Sequence, residues 1–294
     1  MTTPPTIPPR RVPAAPSSSP PARTVPPATA LAAFTRPTAT NGERVCLYGA
    51  GGVGKTSLAL QAPGPVVFFD LDDSLGKLSR VGAVPEDVLC APCRTWAELR
   101  STLNAATGWD GIQTIVIDTL TKAEELAMAH VLETVMGPEN RRVERVEDFG
   151  YGKGYRHFYD EAIKLLSDLE RHTAAGRNVI LIAHVTATRV PNPSGENWLR
   201  YEPLLYQGDK VSFRERICNW VDQLVFLGFD LAVKEGRGTG HGSRAIYTTW
   251  APTHLAKTRG MSPDPILYQK GSRALWDQMF PPATPATTTT PKEG

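Results

Sequence analysis

The chain has 294 residues, with 32 Lys and Arg against 30 Asp and Glu, for a formal net charge of +2. So small a balance excludes bulk attraction to nucleic acid, and any such surface must be a local patch. No apolar run approaches the roughly 20 residues that cross a bilayer, and the N-terminus lacks the apolar core of a secretory signal, so a cytoplasmic protein without membrane partners is expected.

Residues 1–40 hold eleven of the 26 prolines and no acid, and their charges are Arg10, Arg11, Arg23 and Arg36. Such a segment cannot bury enough apolar surface to offset its ordering entropy, which predicts a disordered basic tail. A second disordered tail is predicted for 281–294, where threonine and proline dominate. The folded unit is therefore expected over 41–280. Its cysteines include one isolated pair, Cys90 and Cys93, with Cys46 and Cys218 far away in sequence. That spacing lacks the second pair or histidines of a zinc site.

The first strand-like run, Arg44-Val45-Cys46-Leu47-Tyr48, leads into Gly49-Ala50-Gly51-Gly52-Val53-Gly54-Lys55-Thr56-Ser57. This is G-x-x-x-x-G-K-T between a strand and a helix start, the pattern of a phosphate-binding loop. A polyphosphate needs many donors at close range, and backbone N–H groups supply them only where no side chain blocks approach. The helix N-terminus adds a favourable dipole. Lys55 is placed to reach the β- and γ-phosphates, and the Thr56 hydroxyl to bind Mg²⁺.

Next comes the strand Val66–Asp70, then a short run at 88–90 and a helix from Trp96 to about Ala106. Thr114–Asp118 reads as a buried strand ending in an acid. Helices are predicted over 121–136 and about 156–174, and another buried strand over 178–184. Continuous apolar strands separated by helices predict a mainly parallel sheet covered on both faces. From 185 to 210 no period is evident, which predicts a long functional loop. Strands at 224–229 and 245–249 flank Gly236-Arg237-Gly238-Thr239-Gly240, so an edge hairpin is expected.

Asp118, at a strand tip beside the loop, is the candidate second ligand for Mg²⁺. Asp70, Asp72 and Asp73 follow another strand, and any of them could polarise an attacking water. His184 ends its strand where a polar group can meet a γ-phosphate. Within 185–210, Trp198, Tyr201 and Tyr206 lie among Arg189, Arg200 and Lys210. Aromatic faces with interleaved cations suit single-stranded nucleic acid, in which bases stack and phosphates need counter-charge.

These motifs resemble the RecA-type ATPase core, and most closely the phage-encoded AAA-family ATPases of the Sak-type annealing and recombination group, over about 44–261. Phe68-Phe69-Asp70-Leu71-Asp72-Asp73-Ser74-Leu75 is similar to that family's F-I-D-A-E-H-A-L, whose glutamate activates water. The resemblance thus implies a catalytic role for Asp72, with a side chain one methylene shorter. Asp118-Thr119-Leu120 resembles the family's second motif, and His184 stands where it has a glutamine sensor. The stretch 185–210 then falls at the main DNA-binding loop, and Tyr151–Tyr155 near the first. Lys257 and Arg259 are implied to reach the γ-phosphate of a neighbouring subunit. The resemblance implies ATP rather than another nucleotide, a homo-oligomer, single-stranded DNA as partner with a single-strand-binding protein as helper, and the cytoplasm of a phage's bacterial host. Two other readings remain open on the residues alone. One is a small-molecule or nucleotide kinase with Arg141, Arg142 and Arg145 in a lid, and the other is a nucleotide-switched interaction module.

Overall fold

The computed structural model describes residues 41–229, 232–234, 237–239 and 243–281. The expectations for the tail 1–40, for 282–294, and for Gly236 and Gly240 lie outside the described residues.

The chain begins β1 (Arg44–Gly49), α1 (Lys55–Ala59), β2 (Val66–Asp70), α2 (Leu75–Ser79), β3 (Val88–Cys90), α3 (Trp96–Leu103) and β4 (Thr114–Asp118). It continues with α4 (Leu120–Thr134), α5 (Lys153–Ala162), α6 (Lys164–Ala174), β5 (Asn178–Ala183), β6 (Val185–Val190) and β7 (Trp198–Pro203). Then follow α7 (Phe213–Trp220), β8 (Gln223–Phe229), β9 (Ala232–Lys234), β10 (Arg237–Thr239), β11 (Arg244–Tyr247), β12 (Ile266–Tyr268) and α8 (Ala274–Met279).

Eight strands form one sheet in the order β12-β11-β8-β1-β5-β4-β2-β3. The six from β8 to β3 are parallel, and β11 and β12 add an antiparallel edge. Alternate residues of each central strand serve opposite faces. Tyr48, Phe69, Ile117 and Leu181 pack with α3 to α7 on one side. Leu47, Phe68, Val116 and Ile182 pack with α1, α2 and α8 on the other. Both faces are dry, which is why these strands read as unbroken apolar runs. The fold is the α/β, mainly parallel arrangement expected, that of a phosphate-loop NTPase.

The sequence expectations need two corrections. The single helix expected at 156–174 starts at Lys153 and is two helices that meet at Ile163. Gly154 permits the early start, because a Cβ there would lie 2.1 Å from the Val146 carbonyl. The stretch 185–210 is no loop. β6 and β7 form an antiparallel hairpin whose register runs from Val185↔Pro203 to Val190↔Trp198. Its alternation is not one of apolar and polar, because threonine, arginine and glutamate face inward beside Val190 and Trp198, and Leu199 and Tyr201 face outward. The edge hairpin is present as β8 against β11, with Phe229 opposite Arg244, and a short β9–β10 ladder lies between them in sequence. Among the described residues no helix is long and apolar enough to cross a membrane.

Phe158 is fully buried and meets Tyr206 and Phe213 edge-on. Replacing it with alanine should cost about 3–5 kcal/mol, read as a lowered denaturation midpoint in urea.

Candidate functional site

The parallel strands end together, and their C-terminal tips enclose a cavity of about 590 Å³. Such a crevice is where α/β sheets bind ligands. Its floor is the turn from Gly49 to Lys55, in which Gly52 and Gly54 have φ of 74° and 106°. Those angles are open to glycine and strained for other residues. Lys55 is buried, and its ammonium donates to the carbonyls of Gly49 (2.8 Å) and Ala50 (3.0 Å). Burial lowers its pKa, and Asp118 and Asp72 oppose that shift.

Thr56 is the second residue of α1, and its hydroxyl donates to Asp118 Oδ2 at 2.7 Å. Ser74 Oγ lies 3.4 Å from the same oxygen. The peptide after Asp118 is cis. Burial raises the Asp118 carboxyl to about 6, with the Thr56 bond pulling the other way. A hydroxyl beside a carboxylate at a phosphate loop is an oxygen-donor pair suited to Mg²⁺, which takes one or two protein ligands plus phosphates and water. Among the described residues no group of three or more His, Cys, Asp or Glu could hold a metal by itself. Thr56 and Asp118 could hold such a cation jointly with phosphate oxygens and water.

The three acids after β2 have different positions. Asp70 accepts from the backbone N–H groups of Ser74 and Leu75, both at 2.8 Å, and so caps α2. Asp73 is exposed, with φ of 52°. Asp72 lines the cavity, where Thr119 Oγ1 donates to its Oδ2 at 3.0 Å and His184 Nε2 lies 3.5 Å from the same oxygen. Ser57 and His184 line the cavity too, as do Ser74 and Lys77, which sequence reasoning did not select. Ser74 adjoins the acidic run, so proximity to Asp72 was the available signal.

His184 is tied to a ring of hydrogen bonds at the root of the β6–β7 hairpin. Its N–H donates to Thr121 Oγ1 (3.0 Å), the Thr121 hydroxyl donates to the Leu204 carbonyl (3.1 Å), and the Leu204 N–H returns to the His184 carbonyl (2.8 Å). One turn further along α4, the Glu124 carboxylate accepts from the Tyr206 N–H at 2.7 Å. Thr121 and Glu124 carried no sequence signal, because only the hairpin makes them partners.

The candidate nucleic-acid residues separate. Arg189 and Tyr201 lie on the outer face of the hairpin with Leu199, and Tyr201 stacks on Phe226 at 5.5 Å. Arg200 and Trp198 lie on the inner face. Arg200 pairs with Glu202, which also binds Arg214, and Arg214 Nη1 donates to Thr188. Arg200 is thus occupied within the protein. Lys210 lies elsewhere, on a cleft of about 490 Å³ with Tyr151, Lys153, Tyr155, Arg156 and Tyr206. Tyr155 and Tyr206 stack at 4.7 Å with their planes 9° apart, and Tyr151 is 96% exposed.

Lys257 pairs through its backbone with Leu224, near the start of β8, and Arg259 lies 3.5 Å from Asp222. β8 reaches the phosphate loop only at Leu227, opposite Gly49. Three residues of strand are roughly 10 Å, which sets both cations apart from their own loop. Cys90 is exposed and Cys93 buried, both as free thiols.

A family model described as an AAA domain matches residues 41–260. No curated protein matches the chain.

Burial raises the Glu124 carboxyl from 4.5 to about 7, against the Tyr206 hydrogen bond. Between those values the folded protein keeps a proton that the unfolded chain has released, so stability falls as pH rises through the window. Glu124→Gln removes that loss. Its unfolding free energy relative to the parent should rise by on the order of 2 kcal/mol between about pH 5 and about pH 8, measured by urea titration.

Proposed function

Because the chain belongs to this AAA-domain family, we propose that it binds and hydrolyses ATP with Mg²⁺ and couples turnover to single-stranded DNA, in recombination or annealing of the phage Sak type. Family membership implies a nucleotide-binding ATPase. The observation that carries the coupling is the Thr121 ring, which joins the residue beside Asp72 to both roots of the hairpin.

Each residue has a task that its surroundings suit. The loop N–H groups and Lys55 hold the β- and γ-phosphates. Mg²⁺, when bound by Thr56 and Asp118, would neutralise charge on the phosphates. Asp72 is steadied by the Thr119 hydroxyl and takes the proton of the attacking water. His184 lies at the same end and donates toward the γ-phosphate oxygens. Its main chain is fixed to Thr121, so a shift of its side chain on phosphate loss bears on Leu204 and the hairpin.

Two surfaces support single-stranded DNA as the second ligand. The cleft by α5 offers a stacked tyrosine pair, the exposed Tyr151 and the cations Lys153 and Lys210. The outer hairpin face offers Tyr201 and Arg189. Stacking contributes roughly 1–3 kcal/mol per base. A homo-oligomer would bring Lys257 and Arg259 to a neighbour's nucleotide, a role that their distance from their own loop permits.

Steady-state hydrolysis with and without single-stranded DNA tests the reading. The protein should be stimulated by DNA, and Lys55→Ala should be inactive in both conditions. Asp72→Asn should lower kcat by about 10²–10⁴ while fluorescent ATP still binds. Thr121→Val should keep DNA-independent turnover and lose the stimulation. Hydrolysis indifferent to DNA but dependent on a small acceptor would mark a kinase instead.

DNA affinity measured against salt tests the surfaces. Neutralising Arg189, Lys153 and Lys210 together should flatten the log–log slope by about 2, since each lost single-strand phosphate contact removes roughly 0.7. An unchanged slope would remove both surfaces from the proposal.

A further inference from the structure

The phosphate loop has a second flank, away from Asp72 and His184, and it is built by the antiparallel edge of the sheet. Arg244 opens β11 and stands directly opposite Tyr268 of β12 in the register. Cross-strand partners point to the same side of a sheet, and here both side chains point at Gly54. A Cβ built on Gly54 would lie 3.0 Å from the Tyr268 ring and 3.3 Å from Arg244 Nη1. The buried Tyr268 hydroxyl donates to the Gly54 carbonyl at 3.2 Å.

Arg244 is half-buried, and among the described residues it has no ion-pair partner and no side-chain hydrogen bond. The other arginines withdrawn from solvent mostly have a counter-charge: Arg44 has Asp222, Arg100 has Asp168, and Arg200 and Arg214 share Glu202. Arg177 donates to the Trp109 carbonyl. A guanidinium removed from water without a counter-charge is costly, and the anion that this neighbourhood is shaped to receive is a phosphate. Strand order puts β8 between β11 and β1, and β5 between β1 and β4. Arg244 and the Asp118–Asp72 wall therefore stand on opposite sides of the loop.

We propose that Arg244 is a nucleotide-binding residue, which contacts the phosphate chain of a nucleoside di- or triphosphate held by its own chain's loop. Tyr268, bonded to Gly54, positions it. The proposal rests on the reading of the loop as a nucleotide site. It assigns Arg244 to affinity, whereas the water-activating group lies on the other flank. It also separates Arg244 from Lys257 and Arg259, which lie too far along β8 to serve the same loop.

Titration of fluorescent ATP and ADP analogues, with adenosine as competitor, tests the assignment. Arg244→Gln should weaken both nucleotides tenfold or more, and Arg244→Lys should recover part of that loss. The affinity for adenosine and the melting temperature without nucleotide should stay as in the parent. Gln and Lys variants that both bind ATP and ADP within twofold of the parent overturn the assignment. So does an equal loss for adenosine, which indicates a packing role. If the Gln variant does not fold, the Lys variant decides by the same criterion. A parent protein that binds no better than Lys55→Ala would instead overturn the nucleotide site itself, and the assignment with it.

Discussion

The structure depends on one short contact between groups that the chain brings from far apart, the Thr56 hydroxyl on the Asp118 carboxylate. For these to meet, β1 and β4 must end at the same height with β5 between them. A parallel sheet built by crossover helices delivers that alignment. It also explains the burial of Asp118, an isolated carboxylate that stays tolerable because a hydroxyl answers it on one side and a cation would on the other. Shift β4 by one residue and the acid faces the core while an isoleucine faces the phosphates.

Around that contact the site divides into walls with separate origins. One wall is the run after β2, where three acids share a turn yet serve three purposes, because Asp70 spends its lone pairs on the start of α2. Another is α4, which begins two residues after Asp118 and within two turns reaches the hairpin through Thr121 and Glu124. The third wall comes from the end of the fold, β11 and β12.

The phosphate loop, Asp118 and the parallel sheet were legible in the sequence because each follows from a backbone rule. Glycines mark positive φ, and unbroken apolar runs mark strands covered twice. The β6–β7 hairpin was not legible. Its inner face includes Thr188, Arg200 and Glu202, bound together by Arg214, which lies twelve residues beyond Glu202 on another element. No local pattern shows that Arg200 is consumed by Glu202, so it read as a free cation among aromatics. The Asp70, Asp72 and Asp73 ambiguity had the same cause, since only the start of α2 decides which carboxylate is occupied. Arg244 depends on the pairing of β11 with β12, a choice among registers that the chain does not advertise.

The bond from Trp276 Nε1 to the Leu58 carbonyl (2.8 Å), with that of Tyr268 to Gly54, ties the phosphate loop and α1 to β12 and α8 across more than two hundred residues. α1 has only five residues, and a helix so short is marginal without tertiary support. On the ribosome the loop emerges some two hundred residues ahead of its closing partners. Until those partners follow, the nascent chain carries an unfinished turn without its closing bonds. The flank of the loop at Gly54 is complete only once the sheet's antiparallel edge is in place.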